Sequence, residues 1–236
     1  MKTISKTISF ALSIGLLLAC AAPALSAQPA GPAAEFKIKG EYTSKSPDGA
    51  TTIEQYVRTD KGDDWIWQFW ARRSDSMVLL GPQQDDYAAD FHFTPDSHWL
   101  LRMQKTGSGE SSLYLYKLGP KGFVAATSKP IGDLAWDYFY KQPASRKVMK
   151  PDFHINADIL KGDEDNFSKL GVNWSGNRYL VIALWGEVEP NGKHHQLTTV
   201  RDWRCRYDLQ EGKFDVPEIF AKDNAKALVP KSPGDD

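Results

Sequence analysis

A short segment, Phe93-Thr94-Pro95-Asp96-Ser97-His98-Trp99, combines a tight turn with an aromatic residue on each side. An apolar run follows this turn, and a second run, Leu113-Tyr114-Leu115-Tyr116-Lys117-Leu118, comes after a short loop. Pro and Asp favour tight turns, and short runs rich in aromatic and aliphatic residues favour strands. The stretch from Asp90 to Phe123 therefore predicts a turn, a strand, a loop and a second strand.

A second stretch, from Leu170 to Phe214, shows the same order of features. It begins with Trp174-Ser175-Gly176-Asn177-Arg178-Tyr179 and reaches its second strand at Cys205-Arg206-Tyr207-Asp208-Leu209. Each stretch closes with Leu-x4-Phe. The strands that follow the two turns are apolar on both faces, which is typical of strands inside a sheet that is covered on both sides. A turn-strand-loop-strand unit that occurs twice indicates a type of fold, but it does not indicate a catalytic or binding function.

The rest of the chain predicts further short strands and one helix. Ser46-Pro47-Asp48-Gly49 is a strong turn signal, and strands are expected at 51–58, 65–70 and 77–80. The run 134–141 does not alternate and favours a helix, whereas the acidic run 156–169 favours a loop. We expect a mainly β chain, an antiparallel meander with one or two short helices.

The first stretch resembles the repeat of the TolB-like (WD40-like) β-propellers, in which an aromatic-Ser-Pro-Asp-Gly turn precedes a strand and Leu-Tyr precedes the next blade. The positions that match this pattern are Pro95, Asp96, Trp99, Leu113 and Tyr114. Ser97 replaces the usual glycine, and the second stretch lacks the proline. The resemblance implies a propeller-like fold or partial propeller of four or five blades at most, since a blade takes about 40 to 45 residues. The alternative is a twisted multi-strand sheet or a sandwich with a helix.

The two ends of the chain differ from its centre in composition. Lys2 and Lys6 precede an apolar run, and small residues follow it, which is the pattern of a bacterial signal peptide over residues 1–27. Cleavage there predicts a flexible leader at 28–35, a single domain at 36–220 and a polar tail at 221–236. Alternatively, the segment Leu17-Leu18-Ala19-Cys20 resembles a lipobox, which predicts cleavage before Cys20 and a lipid on that residue. We therefore expect a periplasmic or secreted protein, or a lipoprotein anchored to the membrane through Cys20.

The charge balance argues against some classes of partner. After residue 27 the chain has 27 basic and 30 acidic residues. A near-neutral domain has no electrostatic reason to bind nucleic acid or an anionic membrane. We expect a protein or glycan partner, with no nucleic acid and no membrane contact apart from a lipid on Cys20.

Cys205 is the sole cysteine after the predicted signal peptide. It alternates with Trp203 and Tyr207 along a predicted strand, so the three side chains share one face. A buried thiol behaves as a small hydrophobe, and this is the expected state. A reactive thiol activated by the neighbouring arginines is the alternative.

Trp65 and Trp67 are the candidate binding residues among the tryptophans. With Phe69 they share one face of their predicted strand, and exposed aromatic residues in a row suit a protein or a sugar ring. Packing in the core explains the same pattern.

Two polar clusters are further candidates for binding. Asp163, Glu164 and Asp165 concentrate carboxylates, and His194-His195 lies in a turn-rich stretch. Neither matches a calcium loop or a zinc spacing, so no metal and no cofactor are expected. A solvated surface explains both clusters as well.

The recognised motifs of nucleophilic catalysis and phosphate binding do not occur in this sequence. We therefore expect a non-catalytic binding module of the bacterial envelope, with an inhibitor or immunity-type role as one version. Two alternatives stay open. One is a carbohydrate-active hydrolase with a carboxylate pair, and the other is a structural envelope lipoprotein.

Overall fold

The computed structural model describes residues 31–59, 64–145, 153–159, 177–187 and 198–230. Within these ranges the chain forms two sheets and two α-helices, and no sheet closes into a barrel. The predicted mainly β class, with antiparallel strands and short helices, is confirmed. A partial propeller and a sheet sandwich are both consistent with this arrangement.

The first sheet uses residues 37 to 85. Its path is β1 (Lys37–Ile38), β3 (Thr52–Thr59), β4 (Trp65–Arg73) and β5 (Ser76–Leu79), while β2 (Ser44–Lys45) pairs with β3 and β6 (Gln84–Asp85) pairs with β4. A 3₁₀ turn at Gly40–Tyr42 separates β1 from β2. All pairs in this sheet are antiparallel, as the predicted meander requires.

The second sheet uses the remaining strands. They are β7 (Ala89–Phe93), β8 (Trp99–Gly107), β9 (Glu110–Gly119), β10 (Gly122–Ala125), β11 (Phe153–Ile159), β12 (Tyr179–Glu187), β13 (Thr198–Asp208), β14 (Lys213–Asp215) and β15 (Leu228–Pro230). The order is β14-β13-β12-β11-β9-β8-β7, with β10 on β9 and β15 on β13. Two antiparallel meanders, β7 to β10 and β11 to β14, therefore share this sheet. They join at one parallel bridge, between Asn156 and Ser111.

The turns before β3 and β8 have the same hydrogen bonds. In one, the Ser46 hydroxyl donates to Asp48 and accepts from the Thr51 N–H. In the other, the Thr94 hydroxyl donates to the Asp96 carboxylate and accepts from the Trp99 N–H. The fourth residue of each turn has a positive φ, 70° at Gly49 and 62° at Ser97. Ser97 thus adopts the backbone conformation that favours glycine.

Two layers of apolar side chains cover the faces of β8. Leu100 belongs to the apolar cluster between the two sheets, which includes Trp67 and Phe69. Leu101 points to the other face and belongs to the cluster that includes Ile131 and Phe139. In β12, Leu180 faces the same cluster as Leu101, whereas Val181 packs with Phe220. Both strands are therefore covered on both sides, as their apolar sequences predict.

The predicted helix at 134–141 is present as α1 (Ile131–Phe139). It begins at Ile131, three residues earlier than predicted, directly after Pro130 at the N-cap position. Ile131, Ala135 and Phe139 recur at helical spacing and are fully buried against β9, β11 and β12. Pro143 lies beyond the end of the helix, which stops at Phe139.

The prediction differs from the structure at one place in the second sheet. The acidic run was expected to be a loop from Asn156, but β11 continues through Ile159. The Asn156 side chain donates to the Gly109 carbonyl at 2.6 Å and accepts from the Ser111 hydroxyl at 2.9 Å, so a polar strand is held by distant partners. After residue 220 the chain continues through α2 (Glu218–Asn224) to β15. The described residues contain no helix long and apolar enough to cross a membrane.

Candidate functional site

An exposed aromatic patch lies at the end of the first sheet. Its aromatic members are Tyr42 and Trp65, with exposed fractions of 44% and 42%. They are two of the five large apolar side chains that are exposed within the described residues. We call Lys39, Tyr42 and Trp65 the aromatic patch. Single exposed apolar residues are ordinary on a surface, whereas neighbouring exposed aromatic rings are a candidate contact surface.

Trp67 supports this patch from below. It is 2% exposed, and its ring contacts Trp65 at 6.0 Å and Tyr42 at 5.4 Å between centroids. The Tyr42 carbonyl accepts a hydrogen bond of 3.2 Å from the Gln55 side chain, which fixes the backbone below the exposed ring. The patch therefore rests on a rigid base, so a partner would order few side chains on binding.

The structure separates the tryptophans that the sequence treats as one row. Trp67 and Phe69 lie in the core between the sheets, and only Trp65, at the start of β4, reaches solvent. Trp70 is on the opposite face and is also buried, at 1% exposure. The alternation of residues predicts which side chains share a face. It does not predict at which residue of the strand burial ends and solvent exposure begins.

The two predicted polar clusters fall on residues that the structure does not describe. Asp163, Glu164, Asp165, His194 and His195 lie outside the described residues. Cys20 lies outside them as well. Within the described ranges, no group of three or more His, Cys, Asp or Glu side chains is placed to hold a metal ion.

Cys205 is buried between its two predicted neighbours. Its exposure is 0%, and Trp203 and Tyr207 are 5% and 8% exposed in the same cluster. Burial raises the pKa of the Cys205 thiol well above its ordinary value. The thiol therefore remains protonated and packs as a hydrophobe, which confirms the expected state.

A cavity of about 400 Å³ lies where the first sheet meets β9 and the segment before α1. We call it the junction cavity. Gly81 and Pro82 form one wall, Tyr114 and Tyr116 form another, and Lys129 and Pro130 are at the third. Its volume is within the usual range for small-molecule sites. No local sequence pattern marks this site, because its walls come from three separate parts of the chain.

Arg102 lies behind the tyrosine wall and is fully buried. Its guanidinium donates to the carbonyls of Leu80 and Pro82 at 3.0 Å each, and to Gln104 Oε1 at 2.9 and 2.6 Å. It lies 3.8 Å from the centroid of the Phe69 ring. Among the described residues no carboxylate forms an ion pair with it, and burial lowers its pKa. An arginine nevertheless keeps its charge in proteins.

A second, more polar cavity lies at the tip of the β8–β9 hairpin. Its volume is about 280 Å³, and Asp90, Lys105, Glu110 and Asn156 are among its lining residues. Two carboxylates, those of Asp90 and Glu110, therefore line one concave surface.

Comparison with known proteins found no match for this chain. No family model matches the chain, and no curated protein and no solved structure matches it either.

Proposed function

We propose that this chain is a non-catalytic binding module of an exported bacterial envelope protein, and that it binds a protein partner through the aromatic patch. The observation that supports this proposal is the exposure of Trp65 and Tyr42 on a base made rigid by buried Trp67. Tryptophan and tyrosine are enriched among the residues that dominate protein interfaces.

The geometry of the rings favours a protein partner over a glycan. Tyr42 is nearly perpendicular to Trp67 at 87°, whereas Trp65 is inclined to Trp67 by 37°. The exposed rings therefore do not form one flat platform for an extended sugar chain. The Lys39 ammonium lies 5.2 Å from the Trp65 ring centroid and occupies part of the ring surface.

Export rests on the N-terminal sequence, with its basic start, apolar run and small residues. We propose a periplasmic or secreted protein, with lipidation of Cys20 as the alternative route to the envelope. We also propose that the successive meanders are degenerate blades of the TolB-like type. The shared hydrogen bonds of the turns at Asp48 and Asp96 support this reading.

A capture experiment with matched variants tests the binding proposal. The purified chain is immobilised and exposed to envelope extract, and Trp65→Ala is compared with Val124→Ala. Val124 is 56% exposed and belongs to β10 of the second sheet, so it is a control for loss of exposed apolar area. We expect one stoichiometric protein to bind wild type and Val124→Ala, and to bind Trp65→Ala at least tenfold more weakly.

Two outcomes would contradict this proposal. Equal capture by wild type and Trp65→Ala would remove the patch from the interface. Binding to a glycan panel that is lost in Trp65→Ala would assign the patch to a carbohydrate. Unfolding curves of both variants show whether any loss of binding reflects loss of structure.

The cavity at the tip of the β8–β9 hairpin supports the alternative of a carbohydrate-active hydrolase. If Asp90 and Glu110 are an acid/base pair, the chain hydrolyses a glycan and both Asp90→Asn and Glu110→Gln abolish turnover. Turnover that survives both substitutions would exclude this cavity as the active site.

A further inference from the structure

The aromatic patch is bordered by three carboxylates. Glu41 directly precedes Tyr42, Asp64 directly precedes Trp65, and the Asp86 N–H donates a hydrogen bond of 2.6 Å to the Trp65 carbonyl. All three acidic residues are exposed. Within the part of the chain that the structure describes, none of them forms an ion pair or a side-chain hydrogen bond. Their negative charge is therefore free to act on a partner at this surface.

Other carboxylates in and next to the first sheet already have basic partners. Glu54 accepts two hydrogen bonds from the Arg72 guanidinium, at 2.8 and 3.0 Å. Asp48, in the turn before β3, lies 3.7 Å from the Arg73 guanidinium. The charges of these two groups are compensated within the fold, whereas the charges of the three carboxylates at the patch are not.

The basic residues around the patch compensate this negative charge only in part. Arg58 pairs with Glu35 at 3.5 Å, so these two charges balance each other. Lys37 donates to a backbone carbonyl at 2.8 Å, and Lys39 forms no ion pair among the described residues. Three unpaired carboxylates therefore exceed the two ammonium groups, and the surroundings of the exposed rings have a net negative charge.

Lys39 shows that the Trp65 ring accepts a cation. Its ammonium lies 5.2 Å from the centroid of this ring, within the range of a cation–π contact. An ammonium group is strongly hydrated, whereas a guanidinium is more weakly hydrated and stacks flat on an aromatic face. An arginine from a partner would therefore compete well with Lys39 for the exposed ring.

We propose that the partner presents a basic protein segment to the aromatic patch. One arginine of that segment stacks on Trp65 in place of the Lys39 ammonium, and further basic residues pair with Glu41, Asp64 and Asp86. This inference rests on the function proposed above and specifies the chemistry of the partner. The rings supply the contact area, and the carboxylates select the sign of the charge that binds.

A fluorescence anisotropy titration of the purified full chain tests the sign of the charge. The probe is a labelled short peptide in which arginine alternates with alanine. Matched peptides carry lysine, glutamate or citrulline, which has the shape of arginine without its charge. At low salt we expect the arginine peptide to bind with a Kd on the order of 0.1 mM, and to weaken as salt is added. The citrulline and glutamate peptides should bind at least tenfold more weakly.

Charge variants locate this binding at the patch. We expect Asp64→Asn combined with Asp86→Asn to weaken the arginine peptide about fivefold, since two exposed charge pairs are lost. Lys39→Gln should strengthen binding about threefold, because it vacates the Trp65 ring and removes a competing positive charge. Asp75→Asn is the matched control and should leave the affinity unchanged. Asp75 is exposed and follows the last residue of β4, whereas Trp65 is the first.

Trp65→Leu separates stacking from simple apolar contact. Leucine retains an apolar side chain but has no aromatic face. We expect the arginine peptide to bind this variant about threefold more weakly than wild type, and the preference for arginine over lysine to disappear. Trp65 is 42% exposed, so thermal unfolding of the variant should remain close to that of wild type.

Several results would overturn the basic partner. They are the absence of binding by the arginine peptide, equal affinity for the arginine and citrulline peptides, and weaker binding in Lys39→Gln. The capture experiment described above separates this failure from failure of the proposed function. A protein captured by wild type, lost in Trp65→Ala and captured equally when Asp64 and Asp86 are both Asn would keep the patch as an interface with a partner that is not basic. Capture that does not depend on Trp65 would remove the proposed function itself.

Discussion

The backbone N–H of Asp48 donates a hydrogen bond of 3.1 Å to the Ser97 hydroxyl, 49 residues further along the chain. The backbone N–H of Asp96 donates one of the same length to Asn177 Oδ1. In each case the third residue of a turn bonds to a residue with a positive φ, Ser97 or Asn177. The turn before β3 is thereby tied to the turn before β8, and that turn is tied to Asn177 near the start of β12. The first of these bonds joins the first sheet to the second.

The link at Ser97 predicts a difference between two substitutions. Ser97→Ala loses the acceptor for Asp48 and retains the left-handed backbone, so we expect unfolding free energy to fall by about 1–2 kcal/mol. Ser97→Gly loses the same bond but relieves the backbone, so it should be about 1 kcal/mol more stable than Ser97→Ala. Urea denaturation measures both. Equal stability of the two variants would show that the backbone at Ser97 is not strained.

Close packing of α1 on the second sheet predicts that Gly132→Ala is destabilising. A Cβ there would lie 2.9 Å from Ser112 Oγ, 3.0 Å from Ala157 Cβ and 3.1 Å from the Leu113 nitrogen. We expect a loss of about 1–3 kcal/mol, although alanine is the better helix former. Gly40→Ala is the control, because a Cβ at 40 meets nothing within 4 Å. If both variants unfold at the same urea concentration, helix α1 does not pack this closely.

Burial of Cys205 predicts slow reaction with thiol reagents. In a chain with Cys20→Ser, we expect no labelling by a soluble disulfide reagent at pH 8 in the native state, and complete labelling in denaturant. Cys205→Ala should lower stability by about 1–2 kcal/mol, since it removes a packed sulfur atom. Rapid labelling of the native chain would mean that β13 opens readily.

The turn at Asp96 predicts a loss of stability in acid. Burial raises the pKa of Asp96, but hydrogen bonds from the Thr94 hydroxyl and the His98 N–H outweigh it, and the net shift is downward from 3.8. A carboxyl whose pKa is lowered by folding stabilises the native state above its unfolded pKa. This contribution is lost as pH falls below about 3.8 and through the folded value.

Asp96→Asn isolates that contribution. We expect the variant to be less stable than wild type at pH 7 and to approach wild type at pH 2, as seen in thermal unfolding across this range. Asp75→Asn is the comparison, because Asp75 is an exposed residue between β4 and β5. A constant difference between wild type and Asp96→Asn at all pH values would show that the charge of Asp96 has no role in the turn.

Much of the fold is predictable because its signals are local. The turn at Pro95 and Asp96 depends on residues within six positions of one another, and the hydrogen bonds of Thr94 are the ones such turns form. The helix around Trp136 was predicted from its lack of alternation, although its start at Ile131 was not. The strand at Asn156 was missed, because its polar side chain is satisfied by Gly109 and Ser111, more than 40 residues away.

The sequence by itself determined the β class, the turns and the faces of the strands, including the inward direction of Cys205. These follow from backbone preferences and from the alternation of side chains along a strand. Only the tertiary structure decided that Trp65 is exposed while Trp67 is buried, and that Tyr116 borders a cavity with Arg102 behind it. Burial and unsatisfied hydrogen bonds depend on residues that are distant in the chain and meet only after folding, so no local pattern encodes them.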